Sequence, residues 1–104
     1  MAEETKAEKK ESRKDENVVF IGSKPFMNYV RAVEIQFGKE GSKEVIIKAR
    51  GKFISRAVDV EQVVKHGPIG KTISTKKIDT NSEEFENKEG RNVNVSTVEI
   101  TLTK

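Results

Sequence analysis

The apolar positions near the start of the chain fall first into a strand pattern and then into a helical one. Val18–Ile21 is an unbroken apolar run closed by Gly22, which is typical of a strand covered on both faces. Pro25 follows where a helix tolerates proline, in the first turn, with Ser23 or Lys24 as the cap. The apolar residues after it recur at helical spacing: Phe26, Val30, Val33 and Phe37. The pattern therefore predicts a strand followed directly by an amphipathic helix.

The same alternation occurs a second time. Val45–Ile47 predicts another buried strand, which runs into the basic segment Lys48–Lys52. The helix predicted after it has an apolar side made of four residues: Ile54, Ala57, Val58 and Val64. Three polar residues are expected to face away from that side: Arg56, Asp59 and Glu61. Gly67–Pro68 ends the helix, because the residue before a proline disfavours the helical backbone.

Two long strands, roughly residues 71–82 and 91–103, are predicted for the rest of the chain. The apolar residues of the second strand change face by parity: Val93 and Val95 lie on one side, and Val98, Ile100 and Leu102 lie on the other. Such a strand is bulged, is strongly twisted, or leaves the body of the protein. We expect residues about 79–94 to form a hairpin arm that projects from the domain.

These elements follow one another in the order β-α-β-α-β-β. Because helices separate the first strands, we expect an α/β (α+β) fold, with a mixed four-stranded sheet, two helices on one face and a protruding β-hairpin arm. Residues 1–16 have almost no apolar content and are predicted to be a disordered, charged N-terminal tail. A single domain is then expected over residues 17–104.

Composition limits both the core and the compartment. Only 34% of the 104 residues are hydrophobic, so the core is thin and oligomerisation is a reasonable expectation. The absence of cysteine excludes disulfides and thiolate metal sites. The N-terminus lacks the apolar run of a signal peptide, and no stretch reaches membrane-spanning length. We therefore expect a soluble, cytoplasmic protein without membrane contact.

Catalytic motifs are nearly absent from the sequence. His66 is the one histidine and lies against the helix stop, where it suits the C-terminal end of a helix dipole. Paired carboxylates such as Glu83 with Glu84 lie in segments that look exposed, where they act as solvating charges. There is no Walker-type glycine loop and no dinucleotide fingerprint. The sequence therefore predicts neither an enzyme nor a bound cofactor or metal, and a small hydrolase is the least favoured function.

Positive charge is concentrated in one part of the chain. The net charge is +3, but residues 23–56 hold eight bases and three acids, whereas residues 1–16 hold five bases and six acids. Two basic loops, Gly22–Pro25 and Lys48–Lys52, each follow a buried strand. If those strands are parallel neighbours, both loops leave the same sheet edge, where a helix N-terminus and basic side chains favour phosphate. Composition is equally compatible with the alternative, in which these bases only keep a small protein soluble.

Tyr29 lies one turn into the first predicted helix, close to Lys24. Its periodicity favours a core position with a wet hydroxyl over direct contact with a phosphate, although both interpretations stay open. Aromatic residues make up 6% of the chain, and the phenylalanines occupy mostly core-compatible positions. Base stacking on an aromatic sheet, as in RNA-recognition motifs, is therefore not the expected mode of binding.

Three separated segments resemble the archaeal Alba chromatin proteins: Asn17–Val30, Val45–Asp59 and Gly90–Ile100. The similarity extends over about residues 17–104 without obvious gaps. It implies the same β-α-β-α-β-β fold, a homodimer, and binding of double-stranded DNA and of RNA with little sequence preference. It also implies that the basic loops lie over the duplex backbone while two hairpin arms reach toward the minor groove.

Site residues are carried over from the family position by position. Lys24, Tyr29 and Arg50 match positions associated with nucleic acid. Lys52 stands where an arginine is frequent, which keeps the charge but loses bidentate phosphate geometry. The full set of candidate nucleic-acid contacts is Ser23, Lys24, Tyr29, Lys48, Arg50, Lys52, Arg91 and Asn92, the last two of them in the arm.

Three departures from the family change what we expect. Ser23 replaces the first of two loop lysines, which is the acetylation site, so charge regulation there is lost. Pro68 replaces an aromatic residue that accompanies cooperative assembly, so dimer–dimer contact on DNA should be weak. Residues 79–89 hold five acids and one base, which disfavours deep insertion of the arm into a groove lined with phosphates.

The preferred function is an architectural, chromatin-type protein that binds and condenses DNA in the archaeal nucleoid. The alternative is an RNA-binding ribonucleoprotein scaffold, in which the basic loops hold a structured RNA and the acidic arm meets a basic partner. A competition experiment between duplex DNA and structured RNA at fixed salt distinguishes the two functions, because it shows which ligand the protein prefers.

Overall fold

The computed structural model describes residues 17–38 and 40–104, and the predicted tail of residues 1–16 lies outside that range. The described residues form four strands and two helices in the predicted order: β1 (Val18–Phe20), α1 (Phe26–Phe37), β2 (Glu44–Arg50), α2 (Ile54–Lys65), β3 (Ser74–Glu86) and β4 (Asn92–Thr103). Two short 3-10 turns, Gly51–Phe53 and Gly70–Thr72, precede α2 and β3. β3 begins at Ser74 rather than near residue 71 because the second turn occupies the chain before it.

The strands form one mixed sheet in the order β1-β2-β4-β3. β1 and β2 are parallel, whereas β4 is antiparallel to both of its neighbours. α1 packs over β1 and β2, and α2 packs over β2 and β4, so that both helices cover one face. The predicted α/β (α+β) architecture is therefore confirmed. We call the side of the sheet opposite the two helices the open face.

The core lies between the helices and alternate residues of the central strands. Along β2 the side chains of Val45, Ile47 and Ala49 are buried, while those between them are half-buried. Ile47 pairs with Ile100 of β4, and neither residue has any exposed surface. The period of two along a strand places these residues together on the helix side. α1 adds its buried stripe: Tyr29, Val30, Val33 and Phe37.

The inner side of α2 differs from its prediction at three positions. Val58 is exposed, whereas Val60, which was not assigned to the apolar side, and Glu61, which was expected to face away, are buried. The Glu61 carboxylate accepts a hydrogen bond from the Thr75 hydroxyl of β3, and the Lys65 ammonium donates to the same hydroxyl oxygen at 3.0 Å. A buried carboxylate is tolerated where such bonds replace water. Helical periodicity could not show this partner, because Thr75 belongs to a different element.

The start of α1 also differs from its prediction. Pro25 is itself the N-cap residue, with φ −55° and ψ 139°, so the predicted cap by Ser23 or Lys24 is wrong. Proline suits this place because it has no backbone N–H that would need an acceptor. The loop before α1 is held instead by side chains of the helices, as described below.

The change of apolar face along β4 arises where the strand leaves the body of the protein. β2 ends at Arg50, opposite Thr97, so the first residues of β4 pair with β3 alone. Of the three explanations that the sequence left open, the structure thus shows that the strand leaves the body of the protein. The register irregularity of this hairpin lies in β3, between Thr75 and Lys77. Val95 and the residues at every second position from it thus lie on the open face, and the side chains of β4 alternate between the two faces without interruption.

Candidate nucleic-acid interface

The first basic loop, Gly22–Pro25, is fastened to the helix that follows it. The backbone N–H groups of Gly22 and Lys24 both donate to the hydroxyl of Tyr29, at 3.0 and 2.9 Å. Tyr29 is buried, so its ring belongs to the core while its hydroxyl organises the loop. Of the two interpretations left open by periodicity, the structure shows the core position. Ser23 and Lys24 remain exposed on the loop.

A second anchor for the first basic loop comes from α2 and was missed by sequence reasoning. The Arg56 guanidinium donates from Nη2 to the carbonyl oxygen of Lys24 at 2.7 Å. It also lies over the rings of Phe26 and Tyr29, 5.7 and 5.9 Å from their centroids. Helical periodicity assigned Arg56 to the solvent side, but it is half-buried. No local pattern could have found this contact, because it joins residues 32 positions apart.

The second basic loop, Lys48–Lys52, spans the end of β2 and the turn after it. Lys48 and Arg50 project from the open face, because they alternate with the buried Ala49. Gly51 has a φ of 57°, a left-handed conformation that glycine adopts without strain as the chain turns toward α2. Lys52 is exposed, with its ammonium 5.5 Å from the centroid of the Phe53 ring. The loop therefore presents three cations within five residues.

Two carboxylates of the β3–β4 hairpin pair with these cations. Arg50 Nη2 lies 3.0 Å from Glu83 Oε1, and Lys48 Nζ lies 3.4 Å from Glu99 Oε2. The four side chains are between 30% and 57% exposed, and exposed pairs of this kind contribute only about 0–1 kcal/mol. Both cations can therefore exchange these partners for another anion. The sequence showed that the arm is acidic, but only the structure places Glu83 against Arg50.

The turn that closes the hairpin is built around Asn87. Its Oδ1 accepts hydrogen bonds from the backbone N–H groups of Glu89 and Arg91, at 2.9 and 3.0 Å. Gly90 has a φ of 80°, which this tight turn requires. Arg91 and Asn92 are therefore exposed at the far end of the arm, and the length of the hairpin separates them from both basic loops.

One edge of the sheet carries both loops and the arm. β1 and β2 run parallel, so the loops that follow them emerge together, as the sequence predicted. β4 runs against β2 and pairs Thr97 with Arg50, so the hairpin projects past that same edge. Cations on two anchored loops beside a projecting arm make a surface suited to an extended polyanion.

The aromatic residues are less buried than their positions suggested. Phe37 lies in the core, but Phe20 is 60% exposed and Phe85 is also exposed. Phe20 ends β1 opposite Lys48, whose Nζ lies 5.6 Å from the centroid of its ring. The apolar run Val18–Ile21 predicted a strand covered on both faces. That prediction is wrong at Phe20, because no layer formed by residues 17–38 and 40–104 covers the open face.

Other chemistry is sparse in the part of the chain that the structure describes. Residues 17–38 and 40–104 contain no group of three or more His, Cys, Asp or Glu side chains that could hold a metal ion. His66 is the C-cap residue of α2, with Nδ1 2.8 Å from the carbonyl oxygen of Gln62. Among the same residues, no helix has the length and apolar character needed to cross a bilayer.

The structure is that of a small α+β protein that presents cations at one edge of its sheet. The features that define this class are the sheet order, the two helices on one face and the two basic loops. A family model described as Alba matches residues 17–82, which is more than half of the chain. The protein belongs to the Alba family, as its three sequence segments indicated. Members of this family are not enzymes, and neither is this chain.

Curated archaeal relatives match over almost their whole length. The proteins named DNA/RNA-binding protein Alba from Methanococcus maripaludis and Methanocella arvoryzae are 46% and 47% identical, and the matches cover 86% of this chain and 99% and 92% of theirs. DNA/RNA-binding protein Alba 1 from Archaeoglobus fulgidus is 47% identical over 86% of this chain and 97% of its own.

Solved structures show the same fold. Alba from Thermoplasma volcanium matches with a TM-score of 0.77 at 43% identity, over 85% of this chain and 100% of that chain. ALBA1 from Trypanosoma brucei matches with a TM-score of 0.64 at 25% identity, over 86% of this chain and 69% of that chain.

Proposed function

We propose that this protein is an architectural, chromosome-associated protein of the cytoplasm that binds double-stranded DNA, and also RNA, mainly through the phosphate backbone. The observation that carries the proposal is the emergence of both basic loops and the arm at one edge of the sheet. The relatives named DNA/RNA-binding protein Alba support the same classes of ligand. Affinity then comes largely from the release of counterions and carries little sequence preference.

The loop residues have distinct roles in this proposal. Lys24 places its charge at the N-terminus of α1, where the helix dipole also favours an anion. Arg50 binds a phosphate with two N–H groups, since a guanidinium matches that geometry. Lys48 and Lys52 act as point charges, and the Ser23 hydroxyl adds a neutral hydrogen bond.

Tyr29 and the arm tip complete the proposed set of contacts. The Tyr29 hydroxyl accepts two backbone hydrogen bonds and keeps its own hydrogen, which it can donate to a phosphate at the loop. Arg91 and Asn92 reach the flank of the duplex. The five acids and one base over residues 79–89 keep the arm from entering a groove deeply.

The proposed functional unit is a homodimer. Val58 and Ile78 are 40% and 53% exposed, and Ile78 lies on the helix side of the sheet because it pairs with the buried Ile100. Glu61 contacts Thr75, so this side of α2 faces β3, and Val58 precedes Glu61 by one helical turn. A second copy that covers this apolar surface would complete the thin core.

The acidic arm favours a second candidate function. An exposed hairpin rich in carboxylates suits a basic partner protein, as in a ribonucleoprotein scaffold whose loops hold a structured RNA. Contacts between neighbouring dimers on DNA are weak in either case, because the exposed Pro68 offers no large aromatic surface after α2.

Binding isotherms on duplex DNA and on structured RNA at about 50 and 200 mM salt test the proposal, with the mass of the complex measured alongside. We expect affinity to fall steeply with salt for both ligands and the protein to bind as dimers. Affinity that is indifferent to salt would contradict backbone binding. Direct competition at fixed salt then separates the two candidates, since a scaffold prefers the structured RNA.

A further inference from the structure

We infer that Phe20 forms a subsite for an unpaired base of single-stranded RNA on the open face of the sheet. The inference rests on the proposed function, because the same basic loops hold the phosphates of that strand. One exposed phenylalanine is ordinary on a protein surface. Phe20 differs because it is 60% exposed beside a depression in the sheet and beside cations of both loops.

The depression has the size and lining that a base requires. It measures about 790 Å³ and is lined by Phe20, Phe53 and open-face side chains of β4 such as Val95 and Thr97. Small-molecule sites typically enclose about 300–1,000 Å³ and combine apolar walls with a few polar groups. A base that stacks on an exposed aromatic ring gains affinity whatever its identity, because every base has a π-face.

Phe20 lies between the two basic loops, so a strand can cross it while its phosphates contact both. Lys48 Nζ lies 5.6 Å from the centroid of the Phe20 ring, and Arg50 lines the same depression. A second, smaller depression on the other side of Phe20 is lined by Lys24 and Tyr29. Cations of both loops thus lie on either side of the Phe20 ring. A single strand that stacks one base on this ring has phosphates on both sides of that base, within reach of those cations.

The carboxylates at this site weaken the binding of an RNA strand but do not block it. Glu83 and Glu99 line the depression, but their ion pairs with Arg50 and Lys48 are exposed and exchange for phosphate. The Glu99 carboxylate and the Thr97 hydroxyl are also acceptors for a ribose 2′-OH or a base amino group. The 2′-OH is the group that distinguishes RNA from DNA.

A duplex cannot use this subsite. Its bases stack on one another and present only their edges in the grooves, so no base face is available to the Phe20 ring. Phe20 is therefore expected to separate the binding of single strands from the binding of duplex DNA, although both use the same loop cations.

Two variants measured by fluorescence anisotropy test this separation. Phe20→Leu removes the aromatic face and keeps an apolar side chain, whereas Phe20→Tyr keeps the ring. Against a single-stranded RNA oligonucleotide we expect Phe20→Leu to lose about fivefold or more in affinity and Phe20→Tyr to bind like the unchanged protein. Against duplex DNA both should stay within about twofold, since phosphate contacts are intact. An equal loss on RNA and duplex, no loss on RNA, or a loss confined to single-stranded DNA of the same sequence would overturn the inference.

A spectroscopic signal tests the stacking itself. The chain contains no tryptophan, so Phe20→Trp introduces one fluorophore at the site. Single-stranded RNA should quench its emission in step with binding, and binding without quenching would contradict stacking. Arg50→Ala serves as the reference for the proposed function, because it should weaken RNA and duplex DNA together. If Arg50→Ala changes neither, backbone binding by the loops is wrong, whatever Phe20→Leu does.

Discussion

Single side chains decide how the basic loops are presented to a ligand. The Tyr29 hydroxyl and the Arg56 guanidinium hold the Lys24 backbone from two helices. Arg50, by contrast, is held by Glu83 of the arm in an exposed ion pair. The first loop is therefore preorganised for an anion, while the second must exchange one anion for another.

The loop cations should control affinity without controlling sequence preference. We expect Lys24→Ala or Arg50→Ala to weaken binding to unrelated DNA sequences equally and to reduce the slope of log K against log salt by about 0.9 for each phosphate that is no longer neutralised. Lys43→Ala is the matched control, because Lys43 lies just before β2, at the opposite end of that strand from Arg50. Equal slopes in all three variants, measured by salt titration, would show that the loops are not the contact surface.

Removal of the Glu83 carboxylate should strengthen binding. Glu83→Gln frees Arg50 and raises the net charge, and we expect duplex affinity to increase by up to about fivefold, the equivalent of an exposed pair worth about 1 kcal/mol. Glu84→Gln makes the same change in charge one residue along β3, where the side chain points to the other face. Anisotropy at low salt compares the two, and equal gains would mean that net charge alone is responsible.

Arg56 should act through geometry as well as charge. Arg56→Lys keeps the charge but removes the planar guanidinium that bonds Lys24 and lies over two rings, so we expect the free energy of unfolding to fall by about 1 kcal/mol. Urea unfolding measures this change. The salt dependence of duplex binding should stay the same while affinity falls, because the loop is less ordered but every phosphate keeps its partner. Unchanged stability and affinity would exclude the anchoring role.

At the scale of elements, local pattern and long-range contact contribute differently. The helices and central strands follow from apolar periodicity, and their bounds in the structure agree closely with it. The arm has little to bury, since almost all of β3 is exposed, and its order comes from the β3–β4 ladder and the Asn87 turn. The arm is therefore held together by hydrogen bonds between its two strands and has no hydrophobic core of its own.

Shortening the arm tests whether it contributes to binding. An Asn-Gly turn placed between the paired residues Ser82 and Ser96 would remove the hairpin tip and leave the register of the body intact. We expect this variant to fold and to bind duplex DNA about as tightly as the full chain, because the loss of the flank contacts of Arg91 and Asn92 is offset by the removal of a segment that carries more acids than bases. A severalfold loss of affinity in electrophoretic mobility shifts would instead show that the tip, with Arg91 and Asn92, engages the groove.

At the scale of the whole molecule, exposed apolar residues lie on both sides of the sheet in the described part of the chain. The surface formed by Val58 and Ile78 lies beside α2, and the proposed dimer covers it. The Phe20 surface lies on the opposite side of the sheet, on the open face. A dimer formed through the first surface therefore leaves the second available to a ligand.

Charge introduced at the proposed dimer surface should produce monomers. We expect Ile78→Glu to shift the sedimentation equilibrium from dimer to monomer, because a carboxylate cannot be buried there without a partner. Ile35→Glu is the control, since Ile35 is 48% exposed on the solvent side of α1. Duplex binding should weaken with loss of the dimer, because two sets of loops no longer act together. Monomerisation by Ile35→Glu alone would move the interface to α1.

The sequence by itself determined which segments form helices and strands, the sheet with its two helices, and the position of both basic loops. Apolar periodicity and the Gly–Pro boundaries are local, so they can be read without knowledge of tertiary contacts. The resemblance to Alba proteins was confirmed by the family model over residues 17–82 and by archaeal relatives that are 46% and 47% identical over 86% of this chain.

Tertiary structure alone decided which side chains meet. The burial of Glu61, the anchoring of Lys24 by Arg56, the pairing of Arg50 with Glu83 and the exposure of Phe20 each depend on a neighbour in another element. Periodicity describes one face of one element, whereas a contact depends on how two elements are placed in space. For that reason the candidate cations could be found in the sequence, but their anchors, their competing carboxylate and the aromatic surface beside them could not.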